Sequence, residues 1–169
     1  MSTIFSTTRK EINWSAIILF SLGFWLSGSF VLDFILIPCL SISGMMAGSD
    51  FPSAAFLIFG IFNHIEIVCA SLVLTGTLIF YTKGYFTAER QWSNILFAIA
   101  LLFIAFAYTY LFIPNLTAWG LLFNPAGGQT AMPSAMMYWQ GGYWLLEVIK
   151  FTIAGVLLNW HYRSSCSIS

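Results

Sequence analysis

Four long stretches of this chain carry almost no charge, and their length leaves them very few structures to adopt. Approximately Trp14–Leu40, Ala54–Tyr81, Asn94–Ala118 and Met136–Trp160 are dominated by Phe, Leu, Ile, Ala and Trp. Each exceeds the ~20 residues with which a helix crosses a hydrocarbon core. A helix satisfies its backbone hydrogen bonds within one segment, and a strand in lipid can do so only in a closed barrel. The stretches lack the alternation of lipid-facing strands and contain Gly and Pro, so helices fit and a barrel does not. Composition removes the soluble alternative, because only 7% of residues are charged against 59% hydrophobic, and a water-facing surface needs roughly 25% charged residues. The expected fold is an all-α membrane protein with four transmembrane helices in a bundle.

The first and third stretches end on nearly the same phrase, Ile35-Leu-Ile-Pro-Cys-Leu-Ser41 and Leu111-Phe-Ile-Pro-Asn-Leu-Thr117, with Gly44 and Gly120 three residues further on. The helix after each carries a second echo, Glu66-Ile-Val-Cys against Glu147-Val-Ile-Lys. Two tandem helical hairpins are the simplest organisation. Residues 1–13 form an N-terminal segment, 14–81 the first hairpin, 82–93 a connecting loop, 94–160 the second hairpin and 161–169 a tail. The first stretch lacks a small-residue cleavage pattern and follows the polar run Ser6–Asn13, so it is expected to be retained. Pro38 and Pro114 are expected to terminate or kink their helices. The Gly/Pro-containing run Asn124–Pro133 reads as a loop.

Basic residues lie before the first stretch (Arg9, Lys10), between the second and third (Lys83, Arg90) and after the fourth (Arg163), while the other two loops have none. The positive-inside rule therefore places both termini and the middle loop in the cytoplasm. Trp14, Trp92 and Trp160 mark the cytoplasmic boundaries and Trp119 and Trp139 the opposite ones, as interfacial aromatic belts do.

A charge near the bilayer centre costs roughly 2.5–3.5 kcal/mol on insertion scales, so Asp33, Glu66, Glu147 and Lys150 each need a partner, a proton or a wet cavity. At a rise of 1.5 Å per residue, Glu66 lies ~18 Å, Glu147 ~16 Å and Asp33 ~12 Å from the non-cytoplasmic helix ends, a spacing compatible with one shared layer. Glu147 and Lys150, three apart, can pair on one helix face. Asp33 and Glu66 then lack a fixed positive partner. Either carboxyls are protonated, or they attract a cation, or Lys150 bridges more than one of them. A polar clamp could also involve Tyr108, Tyr110, Tyr143, Asn63 and Gln140.

His64 invites a haem or chlorophyll reading, since imidazole ligates such metals. No second histidine lies within a stretch, because His161 sits at the end of the fourth. His64 and Glu66, two apart, point roughly 200° away from each other around a helix, and a packing role is the simpler expectation for His64. Cys39, Cys69 and Cys166 show neither disulfide nor metal-site spacing, and no metal site is expected. No triad order, phosphate-binding loop or basic patch is present, so neither catalysis nor nucleic-acid binding is expected.

The runs Gly28-Ser-Phe followed by Ile37-Pro-Cys-Leu, Phe62-Asn-His-Ile-Glu66 and Tyr143-Trp-Leu-Leu-Glu-Val-Ile-Lys150 resemble those of small four-span bacterial membrane proteins, some from photosynthetic bacteria, similar to the transmembrane-protein-205-like group. The resemblance implies a multi-pass protein of a bacterial inner or thylakoid-type membrane, without an established activity. Partners are then the lipid bilayer and either a larger membrane complex or further copies of the chain. Small residues Gly23, Ser27, Gly28 and Ser29 would let another helix approach the first. The leading functional expectation is a non-enzymatic accessory or assembly component. Alternatives are a small proton- or cation-coupled transporter using the buried carboxyls, and a pigment- or haem-binding subunit through His64.

Overall fold

The first helix begins at the point where the polar leader gives way to apolar sequence. Asn13 caps it, its Oδ1 accepting from the Ala16 N–H at 3.2 Å, which satisfies one of the amides a helix start leaves unpaired. The computed structural model describes residues 13–48, 51–83, 88–122 and 134–168, with the side chains of 47, 83, 88–90 and 165–168 not included. Four helices long and apolar enough to cross a membrane account for nearly all of this: α1 Trp14–Ile42, α2 Phe51–Thr82, α3 Gln91–Leu122 and α4 Ser134–Ser164. Each contains the stretch expected from sequence. No strand occurs among the described residues.

Contacts between neighbours show the direction of every pair. Ile18 meets Gly76 and Gly28 meets Phe62 between α1 and α2, Pro52 meets Gly120 between α2 and α3, and Phe112 meets Gly142 between α3 and α4. Phe34 packs on Trp144 and Phe151 of α4, which closes the ring of helices. In each case early residues of one helix meet late residues of the other, so all four adjacent pairs are antiparallel. Two of these approaches are close enough that a larger residue would force a neighbour to move, since a Cβ on Gly76 would lie 2.6 Å from the Ile18 side chain and one on Gly28 2.7 Å from the Phe62 ring.

The interior is lined by one stripe per helix at steps of three or four, the spacing that keeps side chains on one helical face. In α4 the stripe is Tyr143, Glu147, Lys150, Ala154, Leu157 and His161, and in α1 it runs Ile18, Leu22, Trp25, Ser29 and Asp33. In α3 it runs Asn94, Ala98, Leu101, Ala105 and Tyr108, then jumps to Ile113. That five-residue step coincides with a π turn at Tyr108–Phe112, and a matching π turn occupies Val31–Leu36 in α1.

Both π turns end one residue before an Ile-Pro pair, Ile37-Pro38 and Ile113-Pro114. Proline has no N–H, and its ring collides with the carbonyl four residues back in a regular helix. Widening the preceding turn by one residue relieves the collision. Accordingly, the Ile37 N–H bonds to the Leu32 carbonyl and the Ile113 N–H to the Tyr108 carbonyl, five residues back in each case. The prolines thus do not terminate their helices, which continue to Ile42 and Leu122. The sequence echo extends into the backbone, but it does not extend to the glycines. Gly44 turns the chain out of α1 with φ +72°, the left-handed conformation favoured after a helix end, whereas Gly120 lies inside α3 against Pro52. Arg9, Lys10 and the run Asn124–Pro133 lie outside the described residues, as do the side chains of Lys83 and Arg90.

Candidate functional site

Trp25 and Ser29 lie one helical turn apart on α1, and both face Glu66 of α2. Trp25 Nε1 donates to Glu66 Oε1 at 2.7 Å and Ser29 Oγ donates to the same oxygen at 3.1 Å. Lys150 reaches across from α4, donating to Glu66 Oε1 at 2.8 Å, to Glu147 Oε1 at 2.6 Å and to Ser29 Oγ at 3.0 Å. Its ammonium therefore sits between two carboxylates from two helices and a hydroxyl from a third. Around it stand the rings of Tyr108, Phe151 and Trp25, with centroids at 5.1, 5.8 and 6.0 Å.

The π turn in α1 carries Asp33, which is buried in the interior as Glu147 is. Tyr143 donates its hydroxyl to Asp33 Oδ1 at 3.1 Å, which ties Asp33 of α1 to the buried face of α4 that carries Glu147. The π turn in α3 places Tyr108 beside them, with its hydroxyl 3.4 Å from the Tyr143 carbonyl and its ring 4.9 Å from that of Tyr143. All four helices contribute. Asp33, Glu66, Glu147 and Lys150 are at most 2% exposed, so the candidate residues named from sequence form one buried cluster. Of the three arrangements open at that stage, the geometry contains the bridge: Lys150 pairs with both Glu66 and Glu147.

The bridge does not balance the charge. Three carboxyls face one ammonium, and Glu66 Oε2 and Glu147 Oε2 are buried with no hydrogen-bond partner among the described residues. A buried carboxylate oxygen without a donor is costly, since desolvation is uncompensated. Asn63, one turn before Glu66 on the same buried face, likewise has an unpartnered amide nitrogen. The arrangement can take up protons or a small cation. Ionic attraction here is strong because the surroundings are apolar.

Other expected members are placed elsewhere. Tyr110 is 63% exposed and Gln140 is also on the outer face, so neither joins the clamp. The π turn keeps Tyr108 inward, and Tyr110, two positions on, falls on the opposite face. His64 points outward from α2, its Nδ1 within 2.6 Å of the Gly60 carbonyl of its own helix. It faces away from the interior and has no ligating neighbour, and no group of three metal-ligating side chains occurs among the described residues. His161, in contrast, is buried at the far end of the α4 stripe beside Phe80. Sequence reasoning missed Trp25. Its signal was available: an indole N–H in mid-membrane needs an acceptor, and Trp25, Ser29 and Asp33 recur at intervals of four on one face. Of the small residues in α1, Gly28 packs on Phe62 and Ser29 belongs to the cluster, while a Cβ added at Gly23 would meet nothing within 4 Å and Ser27 is exposed.

Comparison of the chain with protein-family models, characterised proteins and solved structures found no match. The assignment of roles therefore rests on the geometry alone.

Proposed function

We propose that the chain is a small integral membrane carrier that takes up and releases a proton or small cation at the Asp33–Glu66–Glu147–Lys150 cluster. The observation that carries this reading is the charge excess: three buried carboxyls around a single ammonium, with two carboxylate oxygens unpartnered among the described residues. A purely structural clamp would be better served by equal numbers of acids and bases, because each uncompensated charge costs several kcal/mol in a low-dielectric interior. A site that exchanges a cation must instead be incomplete in one of its states. The outward residues support a lipid setting: Phe20, Phe103, Leu96, Val68 and Val148 are all more than half exposed and would face acyl chains. With the basic residues as oriented above, the termini are cytoplasmic.

All four helices supply polar groups to the cluster: Asp33 from α1, Glu66 from α2, Tyr108 from α3, and Glu147, Lys150 and Tyr143 from α4. Protonation of Glu147 would leave Lys150 paired mainly with Glu66, and deprotonation would draw it back. The cluster thereby couples proton binding to the position of a fixed cation on α4.

The test is proton flux into liposomes containing the purified protein, followed with an entrapped pH dye, for wild type and Glu66→Gln. Flux above protein-free vesicles, reduced at least about ten-fold by Glu66→Gln, is the expected result. Absence of flux together with stoichiometric co-purification of other subunits would favour the accessory role instead, for which Gly23 and Ser27 remain on the outer face. A visible absorption band abolished by His64→Ala would favour the pigment reading.

A further inference from the structure

A second polar layer lies away from the Lys150 cluster, at the end of the bundle that carries the chain termini. Phe97 of α3 stacks on Trp160 of α4 at 5.6 Å, Tyr81 of α2 lies 6.4 Å from Trp92 of α3, and Phe80 of α2 lies 5.6 Å from His161 of α4. These contacts bring Thr77, Asn94 and His161 to one level, each at most 2% exposed. Asn94 opens the buried stripe of α3, so its carboxamide is turned into the bundle, yet neither its Oδ1 nor its Nδ2 has a hydrogen-bond partner among the described residues. A carboxamide offers two N–H donors and an accepting oxygen, and folded interiors satisfy nearly all such groups. The Thr77 hydroxyl donates to the Val73 carbonyl at 2.7 Å, which leaves its oxygen able to accept. Between this layer and the cluster stand Ile18, Leu22, Val73, Ala98, Leu101 and Leu157, all fully buried. At 1.5 Å per residue they fill the ~16 Å of α4 from His161 to Lys150.

We infer that the Thr77–Asn94–His161 layer binds water and is the port through which the carboxyl cluster exchanges protons with the side on which the termini lie, the six apolar residues forming a barrier that is closed in this structure. The inference rests on the carrier reading and names the route by which its proton enters and leaves. Water is the ligand because Asn94 presents donors and acceptor together: an anion would satisfy Nδ2 and not Oδ1, and a metal ion the reverse. A buried water makes about three hydrogen bonds to polar groups of the interior, and both ends of Asn94 with the Thr77 oxygen supply that number. A neutral imidazole, with one donating and one accepting nitrogen, suits the same ligand at His161. An apolar constriction excludes water until it widens, which keeps the cluster from leaking protons between transfers. When it widens, O–H bonds break and re-form along the entering water, and the last one to form is on Glu66 or Glu147, whose Oε2 atoms are the unpartnered acceptors.

The experiment compares full-length wild type with Asn94→Leu, which keeps the branched shape of the side chain and removes its hydrogen bonds, and with Leu101→Ala, which opens the barrier. Two rates are read in liposomes: proton flux from an entrapped pH dye, and the shift of the protonated-carboxyl stretch after transfer into heavy water. Asn94→Leu is expected to slow both at least about ten-fold while its thermal midpoint holds or rises, because a polar group without protein partners leaves the interior. Leu101→Ala is expected to speed both at least about three-fold. A structural role for Asn94 gives the opposite pair, a lowered midpoint with both rates kept, and that pair overturns the inference. So does a Leu101→Ala protein no faster than wild type. If Asn94→Leu does not fold, Thr77→Val removes only the hydroxyl of the layer and takes its place, with a slowing of at least about three-fold expected. Flux that survives Asn94→Leu undiminished refutes the port and leaves the carrier reading standing. Carboxyl exchange slowed by Asn94→Leu in a protein that shows no flux does the reverse.

Discussion

Replacing Lys150 with Met removes the positive charge of the cluster and little of its volume. The structure sets the size of the effect. Two of the three hydrogen bonds cross between helices, to Ser29 on α1 and Glu66 on α2, and interhelical hydrogen bonds in membranes contribute about 0.6 kcal/mol on average and up to about 1.7. Their loss accounts for roughly 1–3 kcal/mol. The charge that the ammonium neutralised is then left without a counter-ion, and removing one partner of a buried pair costs about 3–5 kcal/mol. That larger figure applies only while the carboxyls are charged. The expected loss is therefore about 3–5 kcal/mol near neutral pH, falling to about 1–3 kcal/mol in acid, where protonated carboxyls no longer require the ammonium. Reversible unfolding in mixed micelles at two pH values measures both quantities. In a Glu66→Gln background, Lys150→Met should cost less, with a coupling of about 1–3 kcal/mol. An equal loss at both pH values and strict additivity would show that Lys150 packs in the core without compensating charge.

Valine at position 76 should destabilise by about 1–3 kcal/mol through overpacking, because its Cβ would lie 2.6 Å from Ile18; Gly23→Ala, with nothing within 4 Å, should change the same unfolding measurement by less than ~0.5 kcal/mol. Deleting Ile35, an outward residue of the first π turn, should cost about 3 kcal/mol because Pro38 is forced into a regular helix. Combining the deletion with Pro38→Ala should recover most of that loss, and equal losses in the two proteins would separate the π turn from its proline. His64→Ala should alter stability by less than ~0.5 kcal/mol, since the imidazole bonds only within its own helix.

Existence and length of the four helices were legible because apolar runs of this length have almost no alternative in lipid, and the buried acids stood out because they are costly there. The Glu147–Lys150 pair followed from spacing on one helix. Which residue Lys150 would meet on α2 did not, since that depends on how far each helix is rotated about its axis, and the packing of Gly28 on Phe62 and Gly76 on Ile18 sets that rotation. Tyr110 and Gln140 were misplaced for the same reason. Both prolines were visible, but sequence alone does not say whether the collision at a proline ends, bends or widens a helix. Here the turns widen, and Asp33 and Tyr108, both within the widened turns, face the cluster. The repeated hairpin also concealed an asymmetry. Position for position after each glutamate, Lys150 stands where the first copy has Cys69, so two equivalent acids share one base.

The excess acid of this cluster requires an exchangeable proton or cation to balance it. Infrared absorption of the purified protein in metal-cation-free and amine-free buffer at neutral pH tests it directly, through the carbonyl stretch that only a protonated carboxyl shows. The account predicts such a band, shifted in heavy water, diminished by Asp33→Asn or Glu147→Gln, and reduced when a bound cation replaces the proton. A spectrum with every buried carboxyl ionised and no cation bound would contradict it.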